Sequence, residues 1–453
     1  MKRFCAGVLA LCVAGPAGAQ DAALMEKIQA LEERVQQLES EQAAEVDRVT
    51  SAAEQSRAAD WTRRVRLGGS ADAGFFGGQP DSLYTPDGFK IWDSRTFIDA
   101  SLGQDVRMGE TLLFRDIGFS FEWNLVRLGD LENDVGELFA EFQGVAGSDW
   151  ANLQVGRFQI PVGEAYLLYS RGYASRWFVS NTFGPWWWDE GIKAYGSSSG
   201  SEDYGKFGYV ASVSDGDTPF NTETDGDKQL TLKLFWDPTS WLHLSASALR
   251  TGELGNDDAN ASGALWLGET WARPIGAGSD QVVVQDGAEI APAGPILHDT
   301  WFAGGDAIFD FADKARIWLS YGNYEMNARG GSTYDRTLHE WLAELILRGA
   351  WLGEGLRPFY AGFRAQGIGT YDDDEGYVLD MRQNDRIGYN MESLTQYSGV
   401  IGWDITPWLR MRSEYTRQKF DLVDGVRGVT NGDEIDRNAR DADYYAIELG
   451  VSF

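Results

Sequence analysis

The chain has 453 residues, and 69 Asp and Glu against 39 Lys and Arg give it a formal net charge of −30 at pH 7. This acidic balance argues against nucleic acid as a partner, because phosphate binding needs basic patches. Cys5 and Cys12 are the two cysteines, and both lie in an amino-terminal segment that we expect to be removed. We therefore expect neither a disulfide framework nor a thiolate metal site.

The amino-terminal segment has the pattern of a secretory signal. Lys2 and Arg3 precede an apolar run from Phe4 to Val13, and Ala17-Gly18-Ala19 supplies a small-x-small cleavage pattern. A membrane anchor is the alternative, but the apolar run is shorter than the ~20 residues that a spanning helix needs. The sequence predicts a signal peptide over residues 1–19.

Residues 20–58 have the pattern of an α-helical coiled coil. Apolar residues recur there at alternating four- and three-residue steps: Leu24, Ile28, Leu31, Val35 and Leu38. The alternative is a single amphipathic helix packed on the rest of the protein. A narrow a/d stripe favours self-association, because it covers too little surface for a lone helix to pack well.

The remaining residues, 61–453, have the composition of a transmembrane β-barrel. After the predicted signal there is no run of 18 apolar residues, yet aromatic residues make up 13% of the chain, with 18 Trp and 54 Gly. A large secreted β-protein would share this composition. From Tyr445 to Phe453 every second residue is apolar, which favours the barrel, because such a strand has one lipid-facing side. This ending resembles the terminal strand that the barrel assembly machinery reads in bacterial outer-membrane proteins.

Alternation along the chain predicts sixteen antiparallel strands joined by short and long connections in turn. The predicted strands are 64–76, 91–104, 112–126, 135–146, 150–158, 189–197, 204–213, 228–236, 241–251, 299–311, 315–324, 337–349, 356–366, 393–404, 408–420 and 441–453. Two tight turns, Trp236–Leu242 and Trp403–Leu409, repeat an Asp, Pro, Thr and Trp pattern that suits a membrane interface. Apolar stretches between Thr251 and Asp299 leave eighteen strands as an alternative.

The connection near residues 159–189 differs from the other long connections, which are polar. It is rich in aromatic residues, so we expect it to fold into the lumen and narrow it. The residues predicted to line this constriction are Pro161, Glu164, Tyr166, Tyr169, Arg171 and Arg176.

Residues Gly156 to Gly196 resemble the family of phosphate-selective porins O and P. The resemblance rests on a G-x-F-x-x-P-x-G-E opening at Gly156–Glu164, which is similar to the family's G-x-F-x-x-P-x-G/S-x-E, on an aromatic middle segment, and on a following strand that begins Gly191-Ile192. It implies a sixteen-stranded, trimeric, water-filled channel of the bacterial outer membrane, in contact with lipid and lipopolysaccharide. The family name implies anions such as phosphate.

The charges on the predicted lumen faces have both signs. Positive fixed charge in a narrow pore favours anions, but acidic and basic residues share the same strand faces. The residues predicted to line the lumen wall are Arg66, Arg95, Asp99, Glu122 and Arg412. The sequence leaves open whether they select ions or only solvate the lumen.

The leading functional hypothesis is therefore a porin for passive diffusion of small hydrophilic solutes or ions. The alternative is a structural protein that tethers the outer membrane through its periplasmic coiled coil. The sequence contains no HExxH or phosphate-loop motif, so no enzyme and no catalytic residue are predicted. His243, His298 and His339 lack ligand spacing, and we expect no metal and no cofactor. Acidic clusters such as Asp372–Glu375 suit solvated loops better than a Ca²⁺ site.

Overall fold

The structure is a computed structural model. It describes residues 34, 64–78, 88–127, 134–165, 176–185, 187–200, 205–216, 226–254, 265–267, 270–274, 282–285, 288–290, 297–329, 336–371, 377–381, 388–422, 426–430, 433–434 and 441–453. The chain divides into two units, residues 1–64 and 65–453. The predicted signal peptide and, Arg34 apart, the predicted coiled coil lie outside the described residues, so both stay predictions. Among the residues that the structure describes, no helix is both long and apolar enough to cross a membrane.

Strands account for most of the described residues. In chain order they are β1 (Val65–Gly78), β2 (Gly88–Met108), β3 (Thr111–Arg127), β4 (Asp134–Gln143), β5 (Asn152–Gln159), β6 (Trp188–Ser197), β7 (Lys206–Ser214), β8 (Gln229–Thr239), β9 (Leu242–Leu254), β10 (Leu265–Leu267), β11 (Thr270–Pro274), β12 (Val282–Gln285), β13 (Ala288–Ile290), β14 (Leu297–Asp310), β15 (Ala315–Arg329), β16 (Arg336–Arg348), β17 (Phe359–Thr370), β18 (Tyr377–Met381), β19 (Gly388–Thr406), β20 (Leu409–Leu422), β21 (Val426–Thr430), β22 (Asp433–Glu434) and β23 (Asp441–Ser452). Short 3-10 turns lie at Val145–Gly147, Gly349–Trp351 and Glu354–Leu356.

Sixteen of these strands form a closed antiparallel barrel. Strands β1 to β9 pair in chain order, β9 pairs with β14, and the wall continues through β15, β16, β17, β19, β20 and β23. Strand β1 pairs with both β2 and β23, from Ser70↔Ser452 to Gly78↔Tyr444, and this closes the barrel. The predicted sixteen-stranded antiparallel barrel is confirmed.

The apolar stretches between β9 and β14 do not enter the wall, because β9 pairs directly with β14. Instead, β10 and β11 form a hairpin that pairs with β18, and β18 pairs with β19. Strands β12, β13, β21 and β22 form a separate small sheet. The eighteen-strand alternative is therefore excluded for the wall.

The two faces of each barrel strand differ in chemistry. On β20, Arg412 and Glu414 are each 2% exposed, whereas the flanking residues Met411 and Tyr415 are 41% and 51% exposed. Side chains alternate across a strand, so one face of the closed sheet is polar and buried and the other is apolar and exposed. The polar face is the interior, and it holds most of the buried charged residues that position the candidate site.

The two predicted turns that carry tryptophan lie at one end of the barrel. Strand β8 ends at Thr239 and β9 begins at Leu242, while β19 ends at Thr406 and β20 begins at Leu409. Trp236 stacks on Phe207 with ring centres 5.5 Å apart, and Trp403 stacks on Phe359 at 5.6 Å. We call this the short-turn end, and the connection between β5 and β6 begins at the opposite end.

Candidate functional site

The connection between β5 and β6 is buried over most of its described residues, and only Gly163 and Trp177 among these are partly exposed. Its fully or almost fully buried side chains include Ile160, Val162, Glu164, Arg176, Phe178, Val179, Ser180, Asn181, Thr182 and Trp187. A surface loop would expose such residues to water. Two parts of this connection instead bind inward-facing residues of distant strands, and we call them the Glu164 anchor and the Glu414 anchor.

The Glu164 anchor joins the start of the connection to β8 and β9. Gly163 donates its backbone N–H to Ser247 Oγ at 2.9 Å, and its carbonyl accepts from Lys233 Nζ at 2.8 Å. Lys233 Nζ also lies 2.5 Å from Glu164 Oε1. Both partners of this ion pair are 2% exposed, so the pair is desolvated and each charge depends on the other.

His243 extends this anchor to the short turn between β8 and β9. Its Nε2 lies 2.8 Å from Glu164 Oε1, and its Nδ1 lies 2.5 Å from Asp237 Oδ1. Burial disfavours the charged form of Glu164, but the hydrogen bond from His243 and the charges of Lys233 and His243 outweigh it. Together they lower the pKa of Glu164 to about 2. Glu164 therefore stays a carboxylate in neutral solution.

The Glu414 anchor joins residues 176–183 to the wall strands β17 and β20. Glu414 Oε2 accepts the backbone N–H groups of Val179 at 2.5 Å and Ser180 at 3.1 Å, and Oε1 accepts the Ser180 hydroxyl. Arg364 Nη2 donates to the Ser180 carbonyl at 2.6 Å. A buried carboxylate thus satisfies two backbone donors that would otherwise have no partner.

The side-chain amide of Gln366 binds the same segment in the way that a neighbouring strand would. Its Nε2 donates to the Asn181 carbonyl at 2.9 Å, and its Oε1 accepts the N–H of Phe183 at 3.1 Å. Gln366 is fully buried. One side chain therefore fixes both the direction and the position of this part of the connection.

Arg176 and Trp177 complete the Glu414 anchor at its amino-terminal side. Arg410 and Arg412 donate to the Arg176 carbonyl at 2.8 and 2.9 Å, and Tyr360 donates to the Trp177 carbonyl at 2.9 Å. The Arg410 guanidinium also lies 4.7 Å from the centre of the Trp177 ring. These contacts again reach the main chain, so they hold the segment whatever its side chains are.

A cavity of about 560 Å³ lies beside this anchor, towards the short-turn end. Its lining includes Asp72, Arg410 and Arg412 from the wall, together with parts of the turns at Glu354–Pro358 and Asp404–Leu409. Because Arg410 and Arg412 also bind the Arg176 carbonyl, the cavity adjoins the segment that they hold.

The predicted constriction residues fall into two groups. Pro161, Glu164 and Arg176 are buried inside the barrel, and Glu164 and Arg176 belong to the two anchors. Tyr166, Tyr169 and Arg171 lie outside the described residues and stay predictions.

Four of the five predicted wall residues have described partners. Arg95 binds Asp93 at 2.9 Å and Glu122 at 3.0 Å, and all three side chains are 1% exposed. Arg412 pairs with Glu448 and, at 3.5 Å, with Asp72. These arginines are neutralised by carboxylates.

The other two wall residues lie where water reaches the lumen. Asp99 accepts a hydrogen bond from Ser120 at 2.9 Å. Arg66 is exposed and stands opposite Asp99 in the register of β1 and β2. This part of the wall, near the start of β1, is more accessible than the wall beneath the two anchors.

Two further carboxylates on this part of the wall bind only neutral donors among the described residues. Asp116 accepts from Ser101 at 2.9 Å, and Glu141 accepts from Gln143 and Gln154 at 2.7 Å and from Tyr195 at 2.5 Å. Hydroxyl and amide groups orient a carboxylate without cancelling its charge. This acidic strip on β3 and β4 differs from the paired charges deeper in the barrel.

Sequence reasoning missed several residues that hold the connection. They are Lys233, Ser247, Tyr360, Arg364 and Gln366. Strand alternation predicts that these side chains point into the barrel. It does not predict which loop they contact. Within the described residues, no group of three or more His, Cys, Asp or Glu is placed to hold a metal ion.

No protein-family model matches the chain, and no curated protein sequence matches it. Solved structures are similar in fold. OmpT, an outer membrane protein of Vibrio cholerae solved in a trimer form, is 12% identical with a TM-score of 0.52, over 86% of this chain and 99% of that one. OprB of Pseudomonas putida is 11% identical with a TM-score of 0.50, over 86% and 95%. The chain shares the barrel fold of these two proteins.

Proposed function

We propose that this protein is a porin of the bacterial outer membrane, which lets small hydrophilic solutes or ions diffuse passively through its barrel. The observation that carries the proposal is the connection between β5 and β6, which is hydrogen-bonded to the inner wall at two anchors. A polar lumen crossed by such a segment has a narrow passage that limits solute size. The constriction lies at residues 160–187, and the solute moves only down its gradient.

The outer surface of the barrel supports the membrane location. On β8, Leu230, Leu232 and Leu234 are 46%, 46% and 53% exposed, and they alternate with inward polar residues. Soluble proteins rarely expose apolar belts that continue around the molecule, because burial in lipid is what makes such a belt favourable. The V. cholerae relative in fold is described as an outer membrane protein.

The proposed assembly follows from the same fold. The V. cholerae structure is a trimer form, so we propose a homotrimer whose outer surfaces contact lipid and lipopolysaccharide. The terminal strand β23 would be recognised by the barrel assembly machinery. Residues 1–19 would be removed on export, and residues 20–58 would form a coiled coil in the periplasm.

Phosphate selectivity, which the resemblance to porins O and P implies, is not included in the proposal. Phosphate selection needs guanidinium or ammonium groups that are free to bind the anion. Arg95 and Arg412 are instead each bound to two carboxylates. The proposed solutes are therefore small hydrophilic molecules and ions, with no requirement for phosphate.

Planar-bilayer recording tests this proposal. Purified, folded protein added to a bilayer in KCl should produce discrete current steps that increase linearly with voltage. The same detergent without protein is the control. A folded protein that inserts into the bilayer and yields no ohmic steps would show that it is not a porin.

A further inference from the structure

We infer that Glu414 is a positioning residue of the channel, and that its carboxylate keeps the β5–β6 connection folded against the wall by binding the main chain of Val179 and Ser180. The inference rests on the proposed function, since it says which group sets the width of the passage. The contacts that carry it join residues more than 230 positions apart in the sequence.

The described hydrogen-bond partners of the Glu414 carboxylate are all donors. Its Oε2 accepts the two backbone N–H groups, and its Oε1 accepts the hydroxyls of Ser180 and, at 2.8 Å, of Thr416. An ionised carboxylate accepts at all of its lone pairs, whereas an amide offers one accepting oxygen and one donating NH₂ group. The carboxylate accepts from all four donors with its negative charge, whereas an amide of the same shape would accept from only two of them and would lose the charge that strengthens these bonds.

Arg364 orients the Ser180 hydroxyl towards this carboxylate. Its Nη2 donates to both the carbonyl and the Oγ of Ser180, and the Ser180 hydroxyl donates in turn to Glu414. The guanidinium also lies 4.3 Å from the centre of the Phe178 ring. Ser180 thus links a wall arginine to a wall carboxylate, and all three side chains are buried.

Apart from the bonds to the Ser180 hydroxyl, the wall contacts of the anchor bind main-chain atoms of the connection. Val179, at the centre of the anchor, is fully buried. Loss of the anchor should free residues 176–183 from the wall and make Val179 accessible to water. It should also change the passage, because the segment would no longer keep one position.

A cysteine at position 179 makes this release measurable. In a chain with Cys5→Ser and Cys12→Ser, Val179→Cys provides a single thiol in the anchor. We expect a water-soluble maleimide to label it slowly when Glu414 is present and at least ten times faster with Glu414→Gln. Single-channel recordings of Glu414→Gln should show a larger or more variable conductance than the parent.

The control is Glu325→Gln, which makes the same chemical change at an exposed residue on the outer face of β15. It should leave the labelling rate unchanged. Barrel formation of each variant is checked by heat-dependent mobility in gel electrophoresis. If Glu414→Gln does not form a barrel, Gln366→Met removes two other main-chain bonds of the anchor and should also accelerate labelling.

Equal labelling rates in the parent and in a folded anchor variant would overturn the inference. The labelling does not depend on current, so its result is separate from that of the channel proposal. A parent protein that gives no ohmic steps would disprove the porin, and the thiol would still report whether Glu414 holds the segment.

Discussion

Several charged side chains inside this barrel are arranged in ion pairs whose members depend on each other. Arg95 lies between Asp93 and Glu122, and none of the three reaches solvent. Removal of one partner from a buried ion pair leaves a charge with neither water nor a counter-ion, which costs more than the pair itself contributes. The arginine therefore stabilises the wall strands β2 and β3.

We predict that Arg95→Met lowers the free energy of unfolding by about 3–5 kcal/mol, because Asp93 and Glu122 are left buried without a cation. Urea unfolding in lipid vesicles, followed by tryptophan fluorescence, measures the change. Arg115→Met is the control: its pair with Asp149 is 43% and 60% exposed, and its loss should cost about 0–1 kcal/mol. Equal losses in the two variants would show that the Arg95 pairs are not structural.

Glu164 gives a prediction about pH. Its pKa is lowered to about 2 in the folded protein, below the unfolded value of about 4.3. Its ionised form therefore stabilises the fold fully above the unfolded pKa, and this contribution is lost as the pH falls through the folded pKa. Lys233, His243 and Asp306 face the same anchor.

The measurement is the difference in unfolding free energy between the parent and Glu164→Gln at several pH values. We expect the parent to be more stable near neutral pH, with a difference that falls below about pH 4.3 and is lost near pH 2. The substitution also removes the Glu164 partner of His243, so the loss of that contact is part of the measured difference. A difference that persists unchanged down to pH 2 would contradict the lowered pKa.

At the scale of elements, the wall strands could be predicted from alternation, because each strand places polar side chains inside the barrel and apolar side chains on its outer surface. On β3, alternation puts Phe119 and Phe121 on one face and Ser120 and the predicted wall residue Glu122 on the other, and the burial of this polar pair agrees with it. Strand ends were less predictable. Strand β2 extends over Gly88–Met108, well beyond the predicted 91–104, because ladder hydrogen bonds continue past the residues that show alternation.

The anchors could not be predicted in the same way. Alternation indicates that Arg364 and Glu414 point inwards, but their partners in residues 176–183 are set by how an irregular segment crosses the lumen. No periodic pattern encodes that path. The sequence predicted that the connection is unusual, and the structure was needed to identify its contacts.

Substitution of Gly163 tests whether the Glu164 anchor holds the β5–β6 connection in place. Its φ of 63° lies in the left-handed region, where an alanine costs about 1–2 kcal/mol. Gly109, in the turn between β2 and β3, has a φ of 65°, and neither glycine would bring a Cβ closer than 3.7 Å to its surroundings. Alanine would therefore introduce similar backbone strain at both positions. Of the two, Gly163 is the one hydrogen-bonded to the wall.

We predict that Gly163→Ala and Gly109→Ala lose similar unfolding free energy, about 1–2 kcal/mol, and that only Gly163→Ala increases current noise in single-channel recordings. The strain at Gly163 would be relieved by movement of the segment away from Ser247 and Lys233. Equal noise in both variants would show that the Glu164 anchor does not steady the passage.

For the whole molecule, the balance of charge favours cations. The chain carries a net charge of −30, and three buried arginines of the described wall, Arg95, Arg364 and Arg412, are each paired with carboxylates. Asp116 and Glu141 bind only neutral donors among the described residues and lie on the more accessible part of the wall. Fixed negative charge along a pore raises the local concentration of cations.

We therefore expect the reversal potential across a KCl gradient to show a preference for K⁺ over Cl⁻. Asp116→Asn combined with Glu141→Gln should reduce this preference, because both substitutions remove charge while keeping size and shape. Glu325→Gln on the outer face is again the control and should have no effect. A preference for Cl⁻, or a double variant that selects like the parent, would contradict this assignment of the acidic strip.

The central claim is that the β5–β6 connection narrows a water-filled barrel, and single-channel conductance before and after its removal tests this most directly. Deletion of residues 165–185 removes the whole Glu414 anchor and most of the connection, but leaves all sixteen wall strands. The account predicts ohmic steps from the parent and larger ohmic steps from the deletion variant, recorded in the same KCl solution. An unchanged conductance from a correctly formed barrel would show that the connection does not limit the passage.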